Sequence, residues 1–184
     1  MLFRSLEGLL VRDAAGFLLL GPPEQMEARP DFSGSMFREF ANFLVEKYDS
    51  VVIDGGRWLT DDLVLAALES SSTVFLVLTQ QFPSIRNAQR YLASLVRMGF
   101  TQDQVKLVLN QYSKKPDPNL ATVEQIQQTL NQKLFTKIPQ SSAALPAVNK
   151  GRPIAAGRTG ETDRALRAFT EKATGVKAAI AKTA

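Results

Sequence analysis

Residues 73–112 read TVFLVLTQQFPSIRNAQRYLASLVRMGFTQDQVKLVLNQY, and this stretch decides the fold. It opens and closes on apolar runs, Thr73–Thr79 (TVFLVLT) and Val105–Asn110 (VKLVLN), of the length and composition of buried strands. Between them the period changes. Ser84 stands as an N-cap before Ile85, Ala88, Leu92, Leu95 and Val96, which share one helix face, and Gly99 supplies a C-terminal stop. Strand, helix and strand in that order predict a βαβ unit. Near-continuous apolar strands of this kind belong to parallel sheets covered on both faces.

The same alternation continues outward. Gly16–Gly21 (GFLLLG), Ser50–Asp54 (SVVID) and Leu134–Ile138 (LFTKI) read as further strands. Met36, Phe37, Phe40, Phe43, Leu44 and Tyr48 recur at helical spacing. Thr60 is placed to cap a helix through Ala67, with Asp61 and Asp62 at its positive end. Thr122–Gln125 (TVEQ) is a capping box ahead of Ile126 and Leu130. A last helix is expected from Thr162 to Ala173, with Leu166 and Phe169 inward. Pro22, Pro23, Pro30 and Lys114–Pro118 (KKPDP) mark loops. The predicted class is α/β: three layers, a mostly parallel sheet, and helices on both faces.

Composition narrows the chemistry. The 184 residues include neither cysteine nor histidine, which excludes disulfides, thiol nucleophiles, zinc held by Cys or His, and His-based triads. Carboxylates, Lys and Arg, hydroxyls, backbone dipoles or an oxygen-bound cation such as Mg²⁺ remain. The net charge of +4 is uneven: residues 145–184 hold eight Lys/Arg against three acids. That end could meet DNA, phosphate groups or anionic lipid, or be a solvated helix face and a frayed Ala/Lys tail. No run of 18 apolar residues occurs, and Met1–Leu10 lacks the pattern of a signal peptide, so a cytoplasmic address is the default expectation.

In parallel sheets, ligands gather at the carboxyl ends of strands. The second predicted strand ends in Asp54, followed by Gly55 and Gly56. A carboxylate there can hold Mg²⁺ beside a phosphate, with glycines admitting close backbone approach, or can cap its own loop. The tip at Asn110 can pair with an adenine edge or turn its own backbone. The remaining tips are Thr79-Gln80-Gln81-Phe82-Pro83 and Ile138-Pro139-Gln140-Ser141.

Taken in order, these segments resemble the MinD/ParA group of P-loop ATPases, most closely its CpaE/TadZ pilus-assembly branch. The resemblance is carried by Phe17–Pro23 (FLLLGPP), Tyr48–Asp54 (YDSVVID), Asp61–Leu68 (DDLVLAAL) and Phe75–Ala88 (FLVLTQQFPSIRNA). It continues through Lys106–Tyr112 (KLVLNQY), Ile138-Pro139 and Ala147–Pro153 (AVNKGRP), covering about residues 9–172. It implies ATP and Mg²⁺ as cofactors in a full-length member, and an ATP-dependent homodimer serving pilus or secretion machinery. Asp54 then resembles the acidic residue that supports Mg²⁺, through water, and the attacking water. Asn110 resembles the adenine reader, Pro139 lies where backbone packs beside the base, and Gly55 belongs to the nucleotide-side turn. Asn149 and Gly151 resemble a helix-end signature.

Three departures accompany the resemblance. Gly55-Gly56 replaces the family's proline-containing turn, and Gln111 stands where the family carries Arg. No GKGGxGKT-type segment occurs, and Gly21-Pro22-Pro23 cannot stand in, because prolines lack the N–H donors a phosphate nest requires. Residues 1–174 are therefore expected to form such a domain without its P-loop strand and helix, and 175–184 a flexible tail. With the P-loop strand missing, the expected sheet is incomplete and built on the last three strands.

Other readings keep or change the class. A chromosome- or plasmid-partition ATPase would bind DNA non-specifically, and a non-hydrolysing scaffold would only position partners, at the cell pole or inner membrane. A receiver domain would use Asp54, Thr79 and Lys115-Pro116, but the 61 residues from Asp54 to Lys115 are too many for so compact a fold.

Overall fold

The computed structural model describes residues 10–13, 16–21, 32–56, 58–154 and 160–176. Along the chain run β1 (Val11–Arg12), β2 (Leu18–Leu19), α1 (Gly34–Lys47), α2 (Asp62–Glu69), β3 (Val74–Leu78) and α3 (Phe82–Arg97). Then come β4 (Val105–Tyr112), α4 (Val123–Leu130), β5 (Leu134–Pro139), α5 (Ala144–Asn149) and α6 (Glu161–Thr174). They fall into two compact units, Met1–Ser71 and Ser72–Ala184.

In the first unit, α1 and α2 pack through Phe40, Ala41, Ala66 and Ala67, all buried. The start of α1 is tied twice. Ser33 Oγ accepts the Met36 N–H at 3.3 Å, and the Asp62 carboxylate accepts the Gly34 N–H at 2.5 Å. A Cβ on residue 34 would lie 2.6 Å from that carboxylate, so a larger residue there would push the Asp62 side chain aside. Arg38 pairs with Glu69 at 2.8 Å across the two helices. Asp61, rather than Thr60, caps α2, its Oδ1 accepting from Leu63 N–H at 2.9 Å; a carboxylate is the better partner for a positive helix end.

Two strand expectations fail here. Of Gly16–Gly21, only Leu18–Leu19 is strand, and it pairs antiparallel with Val11–Arg12 instead of joining a parallel sheet. The cause is local: Gly16 at φ +94° closes a tight turn in which its N–H reaches Asp13 O. Ser50–Asp54 joins no ladder, and Val52 is 93% exposed. Pro22, Pro23 and Pro30 lie outside the described residues.

The second unit holds the parallel sheet. Its order is β3-β4-β5, the last three expected strands, with Val74 opposite Val105 and Leu107 opposite Leu134. Side chains alternate between its faces. Leu76, Leu78, Leu107 and Leu109 meet Ile85 and Ala88 of α3 and Ile126 and Leu130 of α4. On the opposite face Phe75 and Phe135 meet Phe169 of α6, with ring centroids 5.1–6.1 Å apart. Helices therefore cover both faces, as expected, and the Phe169 side of α6 points inward.

Caps fix the boundaries. α3 starts at Phe82, earlier than Ser84, because Pro83 fits the first turn and Gln81 takes the N-cap position. Ser84 Oγ instead accepts the Thr79 N–H at 2.9 Å, joining the strand end to the helix. Gly99, at φ +93°, ends α3 as anticipated. The α4 capping box is complete: Gln125 N–H donates to Thr122 Oγ1 at 3.2 Å, and Thr122 N–H to Gln125 Oε1 at 2.8 Å. α5 has no apolar periodicity to mark its start, but it ends at Asn149, with Gly151 at φ +60°, where the helix-end signature lies. Of the expected tail, 177–184 lie outside the described residues.

The box has a titrable consequence. Glu124, in the first turn of α4, is held below its ordinary pKa of 4.5, first by its own backbone N–H and then by the Thr122 hydroxyl. A depressed folded value contributes stability that is fully present above 4.5 and is lost as pH falls from there through the lower, folded value. Thr122→Ala should cost about 1 kcal/mol and move the Glu124 titration upward. Carboxyl NMR with a melting curve reads both, and no change in either would show the box to be idle.

Candidate functional site

The strand ends of the second unit are joined by one glutamine. Gln80, only 7% exposed, follows β3; its Nε2 donates to Ala121 O at 3.0 Å and its Oε1 accepts Ser113 N–H at 2.7 Å. Its carbonyl also accepts Ala121 N–H at 3.0 Å. The end of β3, the exit of β4 and the entry to α4 are thereby held in one arrangement. Sequence reading passed over Gln80 as part of a strand tip. Its one signal is a polar residue directly after an apolar run, and that does not specify partners.

β4 is irregular where it matters. Its pairing with β5 shifts between Leu109 and Tyr112, and Gln111 within that interval sits at φ +53°. An L-residue there carries roughly 1–2 kcal/mol of strain. Bulges of this kind redirect side chains beside binding sites. Asn110 is half-buried, and its Oδ1 accepts the Gln111 N–H at 2.9 Å, so the side chain steadies its own turn.

Pro139 ends β5 opposite Tyr112, and Gln140 N–H donates to Tyr112 O at 3.0 Å. The Pro139 carbonyl accepts from Thr162 Oγ1 of α6 at 3.2 Å. Asn110 and Pro139 are thus brought to neighbouring strand ends. Beside them opens a cleft of about 590 Å³ lined by Tyr112, Lys114, Lys137, Pro139, Glu161 and Arg164. Lys137 Nζ lies 5.1 Å from the centroid of the Tyr112 ring, and Lys114 pairs with Glu161 across the mouth. The cleft has a tyrosine ring, a proline and more cations than acids. A flat, anion-bearing ligand suits it.

Asp54 and Gly55 belong to the first unit. Asp54 is exposed, and its Oδ1 faces Gly56 N–H at 3.5 Å, with Gly56 at φ +66°. No group of three or more acidic side chains able to hold a metal occurs among the described residues. A lone carboxylate suits a Mg²⁺ that keeps its waters and rests mainly on phosphate oxygens. Asn110, whose Oδ1 is held by the Gln111 N–H, is not among the residues that line the cleft, whereas Tyr112 and Pro139 are.

Solved structures share this fold. A ParA-family ATPase from Chlorobium tepidum TLS superimposes with a TM-score of 0.78 at 16% identity, covering 88% of this chain and 66% of that one. MinD from Pyrococcus horikoshii OT3, solved with Mg-ADP, gives 0.76 at 17% identity, over 91% and 68%. The fold is that of the MinD/ParA ATPases. In sequence, the chain is similar to the septum site-determining protein MinD of Thermotoga maritima, at 24% identity over 141 residues. The match takes in 74% of this chain and 51% of that protein, so the chain spans about half the length of its MinD relative. No family model matches. No helix among the described residues is long and apolar enough to cross a membrane.

Proposed function

We propose that this chain is the C-terminal part of a MinD/ParA-type ATPase of the pilus-assembly branch, working in the cytoplasm as a nucleotide-dependent homodimer on pilus or secretion machinery. The observation that supports the reading is the placement of Asn110 and Pro139 near the ends of adjacent strands within a MinD/ParA fold. Asn110 would read the adenine edge once its amide leaves the Gln111 N–H, and Pro139 would line the base. Asp54 would support Mg²⁺ through water, with Gly55 admitting the nucleotide. When bound, Mg²⁺ supplies charge neutralisation at the phosphates.

A second reading is a scaffold of the same fold that does not hydrolyse ATP, since Gly55-Gly56 replaces the family's turn after Asp54 and Gln111 replaces its Arg. Both readings make the same statement about this chain. Isothermal titration with Mg-ATP should give no micromolar binding, because phosphate affinity comes mainly from a P-loop and its lysine. Micromolar binding by the 184-residue chain would show that its hold on the phosphates needs no P-loop, against both readings. Reading the coding DNA upstream of Met1 for an in-frame P-loop separates the ATPase from the scaffold.

A further inference from the structure

We propose that the free edge of β3 pairs with the same edge of a second copy of this chain, joining two parallel sheets about a two-fold axis at Leu76. β3 ends the order β3-β4-β5, and no other strand among the described residues pairs with it. Val77 and Val108 are partners in the ladder, yet Val108 is 4% exposed and Val77 57%. The difference falls on the open side. Val74 N–H donates to Gln104 O at 2.8 Å, and in a parallel ladder successive residues turn their N–H and C=O to opposite sides. Val74, Leu76 and Leu78 therefore turn theirs to β4, and Phe75 and Val77 turn theirs away from it. Those outward N–H and C=O groups have no hydrogen-bond partner among the described residues.

What commits this edge to a copy of itself is its symmetry. Antiparallel edges about an axis at Leu76 set Phe75 opposite the partner's Val77, and Val77 opposite the partner's Phe75. Both are hydrogen-bonded pairs that exchange N–H···O bonds, so every outward group of Phe75 and Val77 is used. Leu76 then faces the partner's Leu76 as the non-bonded pair between them. Each exposed Val77 gains an aromatic neighbour on its own face of the sheet. Nothing repels across the axis, because Ser70–Ile85 (SSSTVFLVLTQQFPSI) has no charged residue. Natural edge strands are blunted by lysine, proline or a bulge, and β3 has none of these. A two-fold pairing consumes both β3 edges, so association closes at two chains. The surface lies along the length of β3 and needs no nucleotide.

The test is sedimentation velocity of the full 184-residue chain, without nucleotide, over a concentration series. A species of twice the chain's mass is expected. Val77→Pro should leave only monomer, since the Val77 N–H serves no bond to β4. Val77→Lys should do the same by setting two cations on one face about 7–8 Å apart. Melting curves check that both variants remain folded. Because the chain has no cysteine, single cysteines read the register. Leu76→Cys should cross-link to its own copy on oxidation, with Cα atoms about 4.5 Å apart in a non-bonded pair. Val77→Cys, offset by two residues from its own copy, should not. A chain that stays monomeric overturns the proposal, as does a dimer that neither Val77→Pro nor Val77→Lys disturbs. Cross-linking of Val77→Cys as readily as Leu76→Cys overturns it too, and species larger than a dimer overturn it in favour of open-ended association. A monomer whose Phe75 and Val77 amides resist hydrogen exchange overturns it in favour of another segment of the same chain.

Discussion

Leu107→Ala should destabilise the second unit by about 3–5 kcal/mol, the largest loss expected from a single side chain. Leu107 is fully buried in the central strand, between Leu76 and Leu134 on its neighbours, and faces α3 and α4. Truncation removes its transfer free energy and leaves a void bounded on two sides by backbone ladders, which cannot collapse inward. Set against a domain stability of roughly 5–15 kcal/mol, that loss brings the unit close to unfolding. Urea denaturation followed by far-UV circular dichroism reads the change. A loss below about 1 kcal/mol would mean that the sheet face is not packed as described.

Gln80→Leu should be nearly as damaging, although it replaces a polar side chain with an apolar one of similar size. Gln80 is buried, and its amide satisfies Ser113 N–H and Ala121 O together. Leucine would leave both backbone groups without partners, at about 1–3 kcal/mol each. The loss is also local, because the exit of β4 would be released from the end of β3. Amide exchange at Ser113 should accelerate more than at Leu107, and the melting temperature should fall. Equal protection of Ser113 in variant and parent would show that another group takes over its N–H.

What the sequence reveals depends on how far apart the causes lie. The α4 box is written in four consecutive residues, and the α3 stop in one glycine, so both are legible. The strands of the second unit are legible because apolar runs of that length have few other uses. Ser50–Asp54 carries the same pattern, yet a ladder needs a partner from elsewhere in the chain, which no local pattern specifies. The end of α5 is legible at Asn149 and Gly151, but its start is not, since Pro146 lies in the first turn, where a missing N–H does no harm. In the site, the strand tips are legible as places. The hydrogen bonds of Gln80 and the left-handed Gln111 are not, because tertiary partners create them. The Lys137–Tyr112 contact arises in the same way, from register.

The strand order β3-β4-β5 follows the order of synthesis. Each strand of the parallel sheet is laid beside the one made just before it, and none has to be inserted later between two already paired. As the chain leaves a ribosome, β3, α3 and β4 can close as a βαβ unit while β5 is still being made, since domains assemble from the N-terminal side during translation. Contacts stay local in sequence, which favours fast folding. The central strand, which carries Leu107 and Asn110, is then the first to be flanked and the last to be freed when the unit opens.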